Sequence, residues 1–289
     1  GPSSMLSFVI AGLIPGSAYA LLAISITVTY RTLGVLNFSQ TAIGVFGAYV
    51  GLEAAQAGLS QPFAALVGLA FGGLIGLLVG LLMVRWFNEA SSQTKSAVTI
   101  VLMLGIFALG ARLFGRSPRA APQLFPDWSI QFEDVSINLN TIVSLVTAFV
   151  VAAGVSAALK WTRIGVCLSA MAERPKAADL LGIPVGKLSL SVWALTGIIA
   201  AGAITFIMPT RPNNFVVLGL LLLPALAASL FGLFRQIYMA FVGGIVLGIV
   251  ESCATYVDAI APYRAALPFV IVLVILLWSQ RREVWDAAR

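Results

Sequence analysis

Residues 34–41, Gly-Val-Leu-Asn-Phe-Ser-Gln-Thr, form the most polar run inside any long apolar stretch of this chain. Its amides (Asn37, Gln40) and hydroxyls (Ser39, Thr41), with the ring of Phe38 between them, could line a path for a small solute. Such groups are costly in hydrocarbon unless paired, so they are expected to face the protein interior or a cavity. Glu251 is a lone acid near the end of a late glycine-rich stretch, Gly243-Gly244-Ile-Val-Leu-Gly248-Ile-Val-Glu251. An ionisable group inside an apolar span is a functional candidate by default. Two readings stand for it: ion coupling, or a structural acid hydrogen-bonded to neighbouring backbone or hydroxyls. The third group is the polar stretch 162–182, TRIGVCLSAMAERPKAADLLG, which lies between apolar spans yet reads as helix. Pro175, after Arg174, suits a first helical turn, where its missing N–H costs nothing. Gly182 is placed as the residue just past the helix end, and Ile164, Leu168 and Met171 fall near one helical face. A helix pair of this kind suits mechanical contact with a soluble partner, and equally an amphipathic loop lying on the bilayer.

Other chemistry is excluded by what is missing. The chain has no histidine, which removes Ser–His–Asp catalysis, His-ligated haem and carboxylate–histidine di-iron sites. The two cysteines, Cys167 and Cys253, fall in different layers of the expected topology, so no intrachain disulfide is expected. The run from Gly182 to Leu188 is one residue short of a phosphate-binding loop and lacks the hydroxyl residue after Lys187. If ATP drives this protein, another chain binds it. No catalytic residue, metal ligand or cofactor of its own is assigned.

The elements that must position these residues are membrane spans. The chain is 60% hydrophobic and only 10% charged, with a mean hydropathy of +1.01. Soluble chains carry about a quarter charged residues, and a spanning helix needs about 20 apolar ones. Residues 1–4 read as a cleavage scar, and 5–289 as one all-α polytopic membrane domain. Nine candidate spans cover residues 6–29 (interrupted at Pro15-Gly16), 34–57, 62–85, 97–114, 139–159, 188–208, 215–234 (with Pro224 inside it), 236–257 and 265–279. Pro224 leaves open whether its segment spans or is re-entrant, so the count is 8–9 helices. Residues 160–187 form one polar loop and 115–138 another. In the latter, residues 128–132 and 135–139 each alternate apolar and polar, which predicts a small β-hairpin. With strict alternation and 160–187 cytoplasmic, the N-terminus lies outside and the C-terminus inside. Twelve of the 17 Lys/Arg then fall on the cytoplasmic side, the bias that sets membrane orientation. The net charge of +6 is scattered between spans and implies lipid contact, with no nucleic-acid role.

Two stretches carry a family resemblance. Thr162, Gly165, Ala170, Ala172, Glu173, Ala177, Ala178, Gly182 and Ile183 match a T-x-x-G-x-x-x-x-A-x-A-E-x-x-x-A-A-x-x-x-G-I pattern. Near the N-terminus, Gly12, Leu13, Gly16, Ser17, Tyr19, Ala20, Leu21 and Ala23 match a first-span pattern. Tyr30, Gly34, Asn37, Phe38, Ser39, Gly47, Ala48 and Tyr49 match the pattern that follows it. Together with the glycine-rich stretch ending at Glu251, these resemble permease subunits of bacterial ABC importers of the branched-chain amino-acid type. The chain departs at Gln40-Thr41, where the family commonly has His-Gly, and at Ser169, where it usually has Arg.

The resemblance implies a non-enzymatic permease domain in the bacterial cytoplasmic (inner) membrane. Its 160–187 loop would dock on two ATPase subunits that carry ATP-Mg. A second, paralogous permease and an extracytoplasmic binding protein would complete the importer. It places Glu173, Arg174, Pro175, Ala177, Ala178 and Gly182 in coupling, and Asn37, Phe38, Ser39, Gln40 and Thr41 on the pathway. A branched-chain or other apolar amino acid is the default solute; relatives handle urea, amides and small organic acids. A different class, an ion-coupled secondary transporter using Glu251, predicts transport without ATP that is lost on Glu251→Gln.

Overall fold

The structure, a computed structural model, describes the backbone of residues 2–132, 135–211 and 214–287, and side chains within 5–280 of those. The side chains after residue 280 lie outside the described ones. The chain is almost wholly helical. Helix α1 (Pro2–Ala11) runs into α2 (Leu13–Leu33) through a break at Gly12. Pro15 explains the break: lacking an N–H and clashing with the carbonyl four residues back, it is tolerated only in a first turn. The two pieces still make one apolar stretch from Met5 to Leu33. Next come α3 (Gln40–Gln56), α4 (Gln61–Trp86) and α5 (Ser92–Phe114). An antiparallel hairpin follows, β1 (Ser129–Phe132) with β2 (Val135–Asn138), Ile130 opposite Ile137 as the alternating pattern expects. Its tip, residues 133–134, lies outside the described residues. Then α6 (Leu139–Trp161) leads to two short helices, α7 (Arg163–Glu173) and α8 (Pro175–Leu180). Helix α9 (Val185–Ile207), the short pair α10 (Phe215–Gly219) and α11 (Leu222–Leu230), α12 (Ile237–Ala254) and α13 (Leu267–Ala287) complete the order.

Seven helical stretches among the described residues are long and apolar enough to cross a membrane. Two of the nine expected spans differ, each for a local reason. The 34–57 stretch is not helical from its start: residues 34–39 are irregular, and α3 has only 17 residues. The 215–234 stretch is broken at Leu220–Leu221, so that Pro224 sits in the first turn of α11. Its ends nevertheless lie at opposite ends of the bundle. Phe215 stacks on Phe114 at the end of α5, while Phe234 packs on Tyr30 near the end of α2. The Pro224 segment thus runs the length of the bundle as two short helices.

The centre is built from α2, α3, α4, α9 and α12. Helix α4 carries Gly68, Gly72, Gly76 and Gly80 on one face; at the first three, α3 and α9 close in until backbone meets backbone, and at Gly80 the Trp193 side chain of α9 lies against the helix. Association inside a bilayer gains no hydrophobic drive, so dispersion contacts across small residues must hold these helices. Helices α5, α6 and α13 are peripheral and turn large apolar side chains outward (Leu104, Phe149 and Leu273 among them), as lipid contact requires.

Candidate functional site

Three groups of side chains stand apart from plain packing. The first is the irregular run at 34–39 with the first turn of α3. Helix α2 ends at Gly34, whose φ of +68° suits glycine, and the backbone then has no regular partner until Gln40. Side chains supply the missing bonds. The Asn37 Oδ1 accepts from the Ser39 backbone N–H at 3.0 Å and from the Ser39 hydroxyl at 2.6 Å, which caps the entry to α3. The Asn37 Nδ2 donates to Gln40 Oε1 at 2.8 Å, and Gln40 Nε2 donates to the Thr196 carbonyl on α9 at 2.8 Å. From α5, the Ser96 hydroxyl accepts from the Leu36 N–H and the Thr99 hydroxyl from the Phe38 N–H, both at 3.0 Å.

Asn37, Ser39, Gln40 and Thr41 are all completely buried, and Phe38 is half-buried. The five sequence-selected residues are contiguous in space as well as in sequence, and in this conformation the run is sealed. The Thr41 hydroxyl is the exception to the pairing: it is buried with no hydrogen-bond partner. Ser96, Thr99 and Thr196 belong to the same network and lie outside the selected set. Their signal was a hydroxyl inside an apolar helix, too common to single out. Replacing Gln40 by alanine strands the Asn37 amide in a dry site and removes the tie between α3 and α9. We expect a loss of about 1–3 kcal/mol, read as a lower melting temperature in detergent; an unchanged melt rules out this pairing.

The second group is the helix pair α7–α8. Thr162 caps α7, its hydroxyl accepting from the Gly165 N–H at 3.1 Å. Leu168 and Met171 turn inward to pack beside Ile24 and Val28 of α2, as the helical spacing predicted, whereas Ile164, expected on the same face, stands in the first turn of α7 and is 62% exposed. Pro175 is the first residue of α8, and Ala178 seats the short helix in the same cluster. The stop is a paired motif: Gly182 N–H bonds to the Asp179 carbonyl at 3.0 Å and Ile183 N–H to the Ala178 carbonyl at 3.1 Å. Gly182 has a φ of +83°, where a side chain is strained. Gly182→Ala should cost about 1–2 kcal/mol at this turn and fray α8, seen as faster amide exchange over 175–183 with the bundle unchanged.

Glu173, Arg174, Lys176, Ala177, Leu180 and Leu181 all point away from the bundle. Lys176 reaches Glu89, in the turn between α4 and α5, at 3.1 Å; both side chains are exposed, so the pair adds little stability. Beside α7 a cleft of about 700 Å³ opens between the bundle and the helix pair, lined in part by Tyr30, Arg31, Ser92, Glu173 and Arg235. Arg31 donates to the Arg235 carbonyl across its floor at 3.3 Å. The residues selected for coupling therefore share one end of the bundle with Arg31, Arg85 and Arg235. Glu53, Arg119 and the hairpin occupy the other end, where Arg119 pairs with Glu53 and Gln56 at the end of α3.

The third group surrounds Glu251. Its Oε2 accepts a 2.8 Å hydrogen bond from the Tyr19 hydroxyl on α2, a side chain almost completely buried. The acid is thus bonded to a neighbouring hydroxyl. Tyr19 was on the page as a motif position, without any indication that its hydroxyl would meet the acid 232 residues later.

The family model described as branched-chain amino acid transport system / permease component matches residues 8–276. The "Probable branched-chain amino acid transport permease protein LivH" of Methanocaldococcus jannaschii is 28% identical over 267 residues, covering 89% of this chain and 84% of the relative. LivH of Salmonella typhimurium, a high-affinity branched-chain amino acid transport system permease protein, is 25% identical and covers 92% of this chain and 91% of its own length. BraD of Pseudomonas aeruginosa, a permease protein of the same description, is 27% identical at the same coverages. Among solved structures, PsaBC from Streptococcus pneumoniae in complex with Fab matches 93% of this chain and 90% of that one. Its TM-score of 0.50 at 13% identity speaks to fold alone.

Proposed function

This chain belongs to the family of branched-chain amino acid transport permease components, and from that premise we propose that it forms one membrane subunit of an importer for a small apolar amino acid. The chain carries no nucleotide-binding motif, so the energy comes from ATP-Mg bound and hydrolysed on two partner ATPase subunits. A second, paralogous permease and an extracytoplasmic binding protein complete the assembly. The observation that carries the reading is the α7–α8 pair, seated on α2 by Leu168, Met171 and Ala178 yet exposing a rigid tip at Leu180 and Leu181. A helix pair fixed on one side and free on the other can pass a push from a soluble partner into the bundle.

For such a push to drive transport, the ATP-bound partner must grip one permease conformation better than the other. The end bearing Arg31, Arg85, Arg235 and α7–α8 faces the cytoplasm in this reading, in line with the charge bias. The hairpin end then meets the binding protein. The solute passes beside residues 37–41 once α3 parts from α5 and α9, which breaks the Gln40–Thr196 and Phe38–Thr99 bonds.

Gentle affinity purification from native membranes, with mass spectrometry of the companions, tests the assembly. Two ATPase subunits' worth of partner and a second permease are the expected yield. A chain that purifies alone and transports in liposomes without ATP overturns it.

A further inference from the structure

We infer that the β1–β2 hairpin is a membrane anchor, whose apolar side and adjoining hollow take up lipid of the leaflet at the end of the bundle opposite α7–α8. The inference uses the chain's membrane setting alone and needs neither the solute nor the partner subunits. Strand register defines the apolar side. Residues directly opposite in an antiparallel pair share one face of the sheet, as do residues two apart along a strand. Ile130 stands opposite Ile137, and Phe132 opposite Val135. One step further along the ladder, the Leu139 N–H donates to the Trp128 carbonyl at 3.0 Å. Trp128, Ile130, Phe132, Val135 and Ile137 therefore share one side, while Ser129, Gln131 and Ser136 share the other.

The two strands differ in what covers that apolar side. Strand β2 lies against α1, with Val135 buried and Ile137 half-buried. Strand β1 has no such cover: Trp128 is 57% exposed, Ile130 44% and Phe132 69%. A hollow of about 500 Å³ continues the surface, lined by Leu124, Phe125, Pro126, Asp127, Trp128 and Leu139 and apolar but for the one acid. Asn140 fixes its wall: the side-chain Oδ1 accepts from the Phe125 N–H at 3.2 Å, and Nδ2 donates to the Phe125 carbonyl at 2.9 Å. The hollow is thus built into the loop and does not wait for an occupant to form it.

The neighbouring helices identify the occupant. Helix α1, beside β2, exposes Met5 and Leu6, and α6, which leaves the hairpin at Leu139, exposes Val146, Phe149 and Val150. Both helices turn apolar side chains to lipid, and the hairpin is packed on one and joined to the other. A tryptophan at the mouth of a span suits the headgroup boundary, since its ring is apolar and its N–H polar. With the apolar side turned to the bilayer, Ser129, Gln131 and Ser136, all exposed, face the water. The uncovered side of β1 is therefore matched to lipid, and the polar side is what a soluble protein would meet.

Spin labels test the two sides separately, on the full chain in phospholipid nanodiscs. Single labels are placed by Ser129→Cys, Ile130→Cys, Gln131→Cys or Phe132→Cys, with Cys167 and Cys253 replaced by alanine. Molecular oxygen, which concentrates among acyl chains, should relax the labels at Ile130 and Phe132. A water-soluble nickel chelate should relax those at Ser129 and Gln131, so that the ratio of the two effects alternates with period two. Phospholipid with brominated acyl chains should also quench the tryptophan fluorescence of the native chain more than that of Trp128→Phe, a comparison that keeps both cysteines. Labels that answer mainly to nickel at all four positions show an apolar side standing in water and overturn the anchor. Labels at Ile130 and Phe132 that neither reagent reaches overturn it too, because protein then covers the face. If nickel reaches those two labels until an extracytoplasmic binding protein is added, the face is a docking surface and the anchor falls. Equal quenching of the native chain and Trp128→Phe also counts against it. The importer reading survives any of these results, since its own test is the co-purification of partner subunits.

Discussion

Glutamate at both Leu180 and Leu181 is expected to reduce ATP-driven uptake about 30-fold, roughly 2 kcal/mol of lost coupling at a contact hot spot, while the purified protein melts at its usual temperature. The two effects separate because of where these leucines stand. They are 89% and 82% exposed, so their substitution removes almost nothing from the bundle. Ala178 and Ile183 hold the turn from below, and the paired bonds past Asp179 keep the tip in shape whatever the side chains are. A partner that buries the tip must then desolvate two carboxylates, which costs far more than burying two isobutyl groups gains. Charge reversal at Glu173 or Arg174 should act in the same direction and more weakly, since both positions are exposed and already carry a charge, so no new group has to be desolvated. The measurement pairs uptake in proteoliposomes with a melting curve. A variant that transports normally removes the tip from the coupling surface; one that melts early shows that the leucines support the fold.

Leucine at Gly72 should have the opposite profile and leave no folded protein to assay. A Cβ at Gly72 would lie 2.7 Å from the Gly197 carbonyl oxygen and 2.5 Å from the Ala201 methyl, and Gly197 in turn approaches the Gly72 carbonyl. Backbone stands on both sides, so no rotamer can yield, and α4 must leave α9. Overpacking in a core costs about 1–3 kcal/mol where side chains can adjust; against backbone the cost should exceed that range. Size-exclusion chromatography in detergent reads the result as aggregation or loss of yield. Gly154→Ala on α6 is the control, because a Cβ there meets nothing within 4 Å. It should be tolerated, or raise the melting temperature slightly through helix propensity. If Gly72→Leu purifies as a monodisperse protein, the tight α4–α9 crossing is not what holds the centre together.

Much of this was legible in the chain because membrane proteins write long, simple signals. Apolar runs marked most helices to within a few residues. Pro175 and Gly182 bracketed α8, and the alternation at 128–139 gave away the hairpin. The two departures share a cause. At 34–39 and at 220–221, hydropathy continues unbroken while the backbone does not, since composition records solubility in lipid and is blind to hydrogen-bond pairing. Tertiary partners decide the issue there: Ser96 and Thr99 replace the missing helical bonds of the first segment, and Pro224 forbids those of the second. The Tyr19–Glu251 hydrogen bond was illegible for another reason. Glu251 could be singled out alone, but its meeting with Tyr19 depends on how α2 and the end of α12 come together, which no local pattern encodes.

The hydrogen bond from Gln40 to the Thr196 carbonyl has a consequence in time. Its partners are 156 residues apart, and at about 5–20 residues per second of synthesis the gap is roughly 8–30 s. Throughout that interval α3, too short to be read as a span by itself, carries an amide whose final acceptor has not been made. During biogenesis it must wait in water, in the insertion machinery, or against α4 through the facing glycines. A chain stalled before α9 leaves its most polar stretch unseated, and quality-control proteases would meet it there first.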